Sequence, residues 1–331
     1  MYIGWFHHYI PKTFGFLAIL VNPIFIYLIF TEKAANFGNY RFLLLYFAVF
    51  NVLYSITDII VPTGIHGYRY CFFLFLSDGW FISKSPWNLY ILSVRCSLIS
   101  CSYAILISHF GYRYLVLKKS AFTKEFFPVY LTASLFLCLG YFTFWNMVCH
   151  LLESANFEVK VYIQRDFQNV YGVDAFDLNM FATLYGEGSK NTVARGWAGT
   201  MLLTSISTFS IVIFLVLGYL IMKDLNQVAF QMSRRTANLQ KSLLRALTVQ
   251  TVIPICVSFA PCLLSWYAPA FNIDLGRGVN YTGVIALAAF PFFDPVAIVM
   301  FLPALRRRVL ILGKKKKRRN LENAYSMQST Q

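Results

Sequence analysis

The sequence predicts an all-α membrane protein, a bundle of seven membrane-spanning helices, and three observations carry that reading. Of 331 residues, 58% are hydrophobic and only 13% charged, with a mean hydropathy of +0.57. A water-soluble domain carries about 25% charged residues, so the solvent this composition suits is lipid. Seven stretches reach the roughly 20 apolar residues that a bilayer's hydrocarbon layer asks of a helix. None alternates polar and apolar residues over about ten positions as a membrane strand does, and a backbone in lipid must satisfy its own hydrogen bonds, so helices fit and a barrel does not.

The spans run over 9–30, 42–64, 87–112, 126–149, 199–222, 247–269 and 281–302. Trp5, Phe6, His7, His8 and Tyr9 precede the first as an interfacial aromatic anchor. With no basic stretch and small-residue cleavage site before it, that span reads as a retained helix rather than a signal peptide. Span three carries two polar stripes at helical spacing, Ser93, Ser97, Ser100 and Ser108 on one side and Arg95, Ser102, His109 and Arg113 on the other. A helix polar on two sides cannot face lipid broadly, which makes it the central helix. Residues 150–198 form the one long connection, rich in Asp, Asn, Tyr and Gly, a length that suits either a lid over a binding site or a flexible, tolerated insertion. Pro254 and Pro261 interrupt span six, Pro291 and Pro295 span seven. Residues 1–305 thus make the membrane domain and 306–331 a basic tail.

Charge sets the orientation. Of 29 basic residues, 20 fall in the connections after spans one, three and five and in the tail, eight fall on the opposite side, and Arg95 lies within span three. Positive residues stay inside, so the N-terminus is expected outside and the C-terminus in the cytoplasm. The net charge of +15 is therefore a cytoplasmic property and calls for no nucleic acid. The run "GKKKKRRN", behind the amphipathic "LPALRRRVLIL", suits anionic inner-leaflet lipid as well as a topology signal.

Charges inside spans are costly and therefore functional candidates. Asp58 stands 17 residues beyond Arg41 and Arg95 18 residues before Arg113, so at about 1.5 Å per residue both sit roughly 25–27 Å from the basic boundary. Matching depth makes them either a structural ion pair or part of a ligand pocket. Asp294 lies lower, beside Pro295, where a buried acid at a helix break suits a hinge with two arrangements. Of seven cysteines, five lie in apolar spans, and no spacing suits zinc. Cys71 and Cys149 near the outer face are the candidate disulfide. No cofactor is expected.

The strings "NPIFIYLIFTEK", "FGNYRFLLL", "YRYCFFLFLSDGWF", "HFGYRYL" and "PFFDPVAI" stand in order at successive spans. Together they resemble the nematode serpentine chemoreceptors of class j (Srj) in the Str superfamily. The resemblance implies a rhodopsin-like architecture and an olfactory-type G-protein-coupled receptor in the plasma membrane of sensory neuron cilia. Such a receptor binds an external small molecule and signals through a heterotrimeric G protein. Asn22 then resembles the polar position of span one, Arg113 and Tyr114 the Arg-Tyr that meets the G protein, and Asp294 and Pro295 the acid-proline activation hinge. Three positions depart from the rhodopsin-like pattern: Tyr112 replaces the acid before Arg113, Ile298 replaces a tyrosine, and no cysteine stands near Asn88. The alternative is a seven-span ligand-gated cation channel of inverted topology, against which the charge split argues. An enzyme would need a coherent set of acids or metal ligands at one depth, which Asp58 and Asp294 are not.

Overall fold

The structure, a computed structural model, describes residues 4–31, 37–228, 234–253, 255, 260–303 and 305–311. Its helices are α1 (Trp5–Thr31), α2 (Tyr40–Ile60), α3 (Pro86–Leu117), α4 (Phe127–Val148), α5 (Phe157–Tyr171), α6 (Lys190–Val228), α7 (Arg234–Ile253), α8 (Ala260–Tyr267) and α9 (Gly276–Phe301). Among the described residues six helices are long and apolar enough to cross a membrane: α1, α2, α3, α4 with the turn that follows it, α6 and α9. The remaining span, 247–269, is carried by the end of α7 and by α8. Pro254 lies outside the described residues, as do most of the tail and its 314–319 cluster.

Burial separates the helices by role. In its most apolar stretch 72% of α3 is buried, against 22% of α4 and of α6, which makes α3 the central helix as its two polar stripes require. The serine stripe faces α4: Ser100 Oγ donates to the Tyr141 carbonyl at 3.1 Å, Ser134 Oγ to Ser108 Oγ at 2.6 Å, and Tyr130 Oη to the Ser108 carbonyl at 2.5 Å. Small hydroxyls that bond across helices let backbones approach in lipid, where apolar contact alone gives little preference. The large apolar side chains left outside, such as Phe136 and Leu139 on α4 and Phe209, Leu215 and Tyr219 on α6, form the surface that lipid covers.

The sequence reading held no strands, yet the segments between spans build a three-stranded antiparallel sheet, β1 (Thr63–Tyr68), β2 (Cys71–Leu76) and β3 (Met180–Leu184), in the order β1-β2-β3. The long connection 150–198 is mostly regular structure. It begins as a π-helical turn (Cys149–Glu153), passes through α5 and β3, and enters α6 at Lys190. Asn156 caps α5 by accepting from the Val159 N–H at 2.9 Å, and Gly172 ends it in the left-handed region at φ 71°. Glu158 reaches across to the start of α6, accepting from the Ser189 N–H, from Ser189 Oγ at 2.7 Å and from Thr192 Oγ1 at 2.5 Å. These hydrogen bonds, Thr192's first, hold its carboxyl below the ordinary glutamate range, as an acid at a helix N-terminus should be.

The sheet has two covered faces, and period-two alternation assigns them. Phe73 and Phe75 of β2 and Ala182 and Leu184 of β3 pack with Val159, Ile163 and Phe167 of α5. Their neighbours Leu74 and Phe181 pack instead with α3, α4 and α6. Gly64 pairs opposite Phe75, whose ring stands where a side chain would go: a β-carbon there would be 2.7 Å from Phe75 Cζ. The sheet with α5 on its back thus caps one end of the bundle, and Arg113 and Arg308 mark the other.

Candidate ligand site

Under the sheet's inner face lies a cavity of about 110 Å³. Phe72 and Leu74 of β2 and Phe181 of β3 form its roof, and Trp145 of α4, Trp266 of α8 and Leu287 of α9 its walls, with α3 and α6 completing them. The Phe72 and Trp266 rings are 5.9 Å apart. Ligand sites are mostly apolar with a few placed polar groups. Here the charged one is Glu153, from the π-helical turn.

Glu153 is 4% exposed. Thr183 Oγ1 donates to its Oε2, while Oε1 has no donor among the described residues. Gly199 of α6 makes room for that oxygen, since a β-carbon on residue 199 would stand 2.1 Å from it. Arg195 is nearby and donates to the neighbouring Ser154 carbonyl at 2.7 Å. The Trp266 Nε1–H likewise has no acceptor among the described residues. The sequence reading missed Glu153, although an acid four residues beyond an apolar span was a visible signal.

The intramembrane charges named from sequence sit elsewhere. Arg95 and Asp58 meet as a buried ion pair between α3 and α2, with Arg95 Nη2 donating to Asp58 Oδ1. The guanidinium also lies 4.5 Å from the Tyr54 ring. Neither residue lines that cavity, and Asp58 borders a smaller space with His8, Lys12 and Pro62.

Asp294 is fully buried on α9. Pro295 has no N–H to give the carbonyl four residues earlier, and Asn22 Nδ2 of α1 supplies the missing donor, reaching the Pro291 carbonyl at 3.0 Å. Asn51 of α2 contacts Asn22 Oδ1 at 3.5 Å and faces the Asp294 carboxyl. No cation stands within ion-pair distance of Asp294 among the described residues. Three helices therefore converge on amides and one acid at the proline break.

At the opposite end from the sheet, Arg113 is buried with its guanidinium 3.5 Å above the Tyr40 ring. Tyr112 stacks on Tyr40 at 5.6 Å, and the Tyr40 hydroxyl meets His109 Nδ1 at 3.0 Å. Tyr112, which replaces the expected acid, thus helps build an aromatic seat for the arginine. Tyr114 is half-buried and packs beside α6.

The Cys71–Cys149 bridge is not formed. Both are free thiols, because the pleat turns Cys71 toward α5, among Phe73 and Ile163, while Cys149 packs with Cys96 of α3. Burial, with Glu153 nearby, pushes the Cys71 thiol up from its ordinary range.

The family profile described as "Serpentine type 7TM GPCR chemoreceptor Srj" matches residues 1–309. The chain belongs to the Srj family of serpentine seven-transmembrane chemoreceptors. It is 46% identical over 305 residues, 92% of each chain, to Serpentine receptor class J-38 of Caenorhabditis elegans. It is 26% identical to Serpentine receptor class r-10 of the same organism, over 90% of this chain and 89% of that one. To its G-protein coupled receptor str-33 it is 24% identical, over 86% and 83%. The Srj chain is therefore a multi-pass membrane receptor of the G-protein-coupled type.

Proposed function

We propose that this Srj receptor detects an external small molecule in the cavity under the sheet and signals through a heterotrimeric G protein at the Arg113–Tyr114 end. In this reading it is a receptor, not an enzyme, and works without cofactor or nucleic acid. It sits in the plasma membrane of sensory neuron cilia with its N-terminus outside. Residues 1–305 form the receptor domain, and the basic tail 306–331 lies on anionic inner-leaflet lipid.

The carrying observation is the cavity itself: an apolar space with one buried acid, roofed by the sheet at the end away from Arg113. Leu287 lines it and Asp294 follows two helical turns later, about 10 Å along α9. A ligand that favours one packing of Leu287 therefore acts on the Asp294–Pro295 break, where Asn22 and Asn51 join α9 to α1 and α2. Tenfold population shifts need only about 1.4 kcal/mol of differential affinity. Breaking the seat of Arg113 on Tyr40 then frees the guanidinium for the G protein.

The test is expression in heterologous cells with an N-terminal tag, read for tag accessibility on intact cells and for odorant-evoked signal with and without G-protein blockade. An accessible tag and a signal abolished by blockade are expected. A tag reached only after permeabilisation would defeat the orientation, and an evoked current that survives blockade would defeat G-protein coupling.

A further inference from the structure

Resting on the reading of the cavity as the ligand site, we infer that its ligand class is small primary amines, with the ammonium on Glu153 and the hydrocarbon body against Trp145 and Trp266. Size is the first constraint. A dry apolar cavity of about 150 Å³ holds benzene, so the space of about 110 Å³ here admits a body of that order or slightly smaller.

Chemistry is the second constraint. Glu153 is the acid of the lining and is 4% exposed; Thr183 occupies Oε2, and Oε1 has no donor among the described residues. Buried polar atoms without partners are uncommon in finished structures, and a binding site is one place they persist. A hydrocarbon leaves Oε1 as it is. To an ionised Oε1 a ketone or ester brings another acceptor, and an anion brings a like charge. An alcohol supplies one donor, whereas an ammonium supplies three together with the complementary charge, the stronger kind of hydrogen bond. Gly199 leaves Oε1 its place beside α6, since one added carbon there would stand 2.1 Å from it.

Three probes of one shape separate these cases: cyclopentylamine, cyclopentanol and methylcyclopentane. Binding to the full-length receptor in lipid nanodiscs is read by tryptophan fluorescence and by the thermal midpoint. We expect the amine to bind at least thirtyfold tighter than methylcyclopentane, with the alcohol between. In Glu153→Gln the amine should lose at least tenfold while methylcyclopentane is unchanged. Equal affinity of amine and hydrocarbon on the native receptor, or no amine binding up to millimolar concentration, would overturn the amine assignment without recourse to any variant. Leu287→Trp fills the cavity and should abolish all three. Probe binding that survives Leu287→Trp would overturn the cavity reading itself, an outcome distinct from failure of the amine assignment.

Discussion

Arg95 and Arg113 stand on one helix, 18 residues apart, and the protein holds them in different ways. Near the sheet, Arg95 closes directly on Asp58 between two long helices, and both are almost wholly buried. At the far end, Arg113 lies on the face of Tyr40 with Tyr112 stacked behind. A paired charge in low dielectric is fixed, because removing either partner strands the other. A cation on a ring is held by an attraction of about 1–2 kcal/mol, which a competing partner can replace. The sheet end is thus anchored by a direct ion pair, while at the far end, where the proposed G-protein contact lies, Arg113 rests on an aromatic face.

The largest effect expected from this contrast follows Arg95→Met, which strands Asp58 and should lower the folded, surface-exposed fraction by the equivalent of about 3–5 kcal/mol. The double variant Asp58→Leu/Arg95→Met should recover most of it, measured as surface receptor by antibody. Failure of the double variant to recover would give the pair a role beyond anchoring. Gly199→Ala comes next. It drives a methyl into Glu153 and should lower the thermal midpoint by an amount equivalent to about 1–3 kcal/mol.

Tyr40→Leu should leave insertion intact and raise basal signalling about 5–30-fold, the population shift that corresponds to losing about 1–2 kcal/mol of grip. Unchanged basal signal from that variant would mean Tyr40 holds nothing that activation must break. Asp294→Leu should likewise alter basal or evoked signalling several-fold while changing surface amount little. Asp294→Asn, which keeps a polar partner for Asn51, should alter it less.

The smallest effect lies in the cap. Burial first, with help from Lys84, pushes the Lys160 ammonium down to about 8, although it donates to the Leu178 carbonyl at 2.7 Å. A lysine whose folded pKa is depressed binds fewer protons folded than unfolded between the two values, so stability rises with pH from about 8 toward the ordinary lysine range. Lys160→Met should therefore raise the thermal midpoint near pH 7, by an amount equivalent to less than about 1 kcal/mol after solvent screening. The gain should shrink near pH 10.

Much of the bundle was legible in the sequence because lipid writes a coarse code. Span length, the serine stripe and the equal depths of Asp58 and Arg95 all survive as helix positions, contacts and an ion pair. The sheet was not legible for a physical reason: "CFFLFL" is apolar at every position because one face meets α5 and the other roofs the cavity, so the period of two disappears. The same pleat separates Cys71 from Cys149, which proximity in the sequence pattern could not reveal. Asn22 shows the converse. Its partner, the Pro291 carbonyl, is predictable from Pro295 alone once one asks which backbone group the proline leaves without a donor.

The most direct test of the central claim is a dose–response measurement in cells, with a G-protein activation sensor, for any odorant found active on the native receptor. Native and Leu287→Trp receptors are compared at equal surface amounts. Occupation of the cavity under the sheet predicts that filling it abolishes the response or shifts it at least tenfold to higher concentration. Superimposable curves would place the ligand elsewhere and contradict the account.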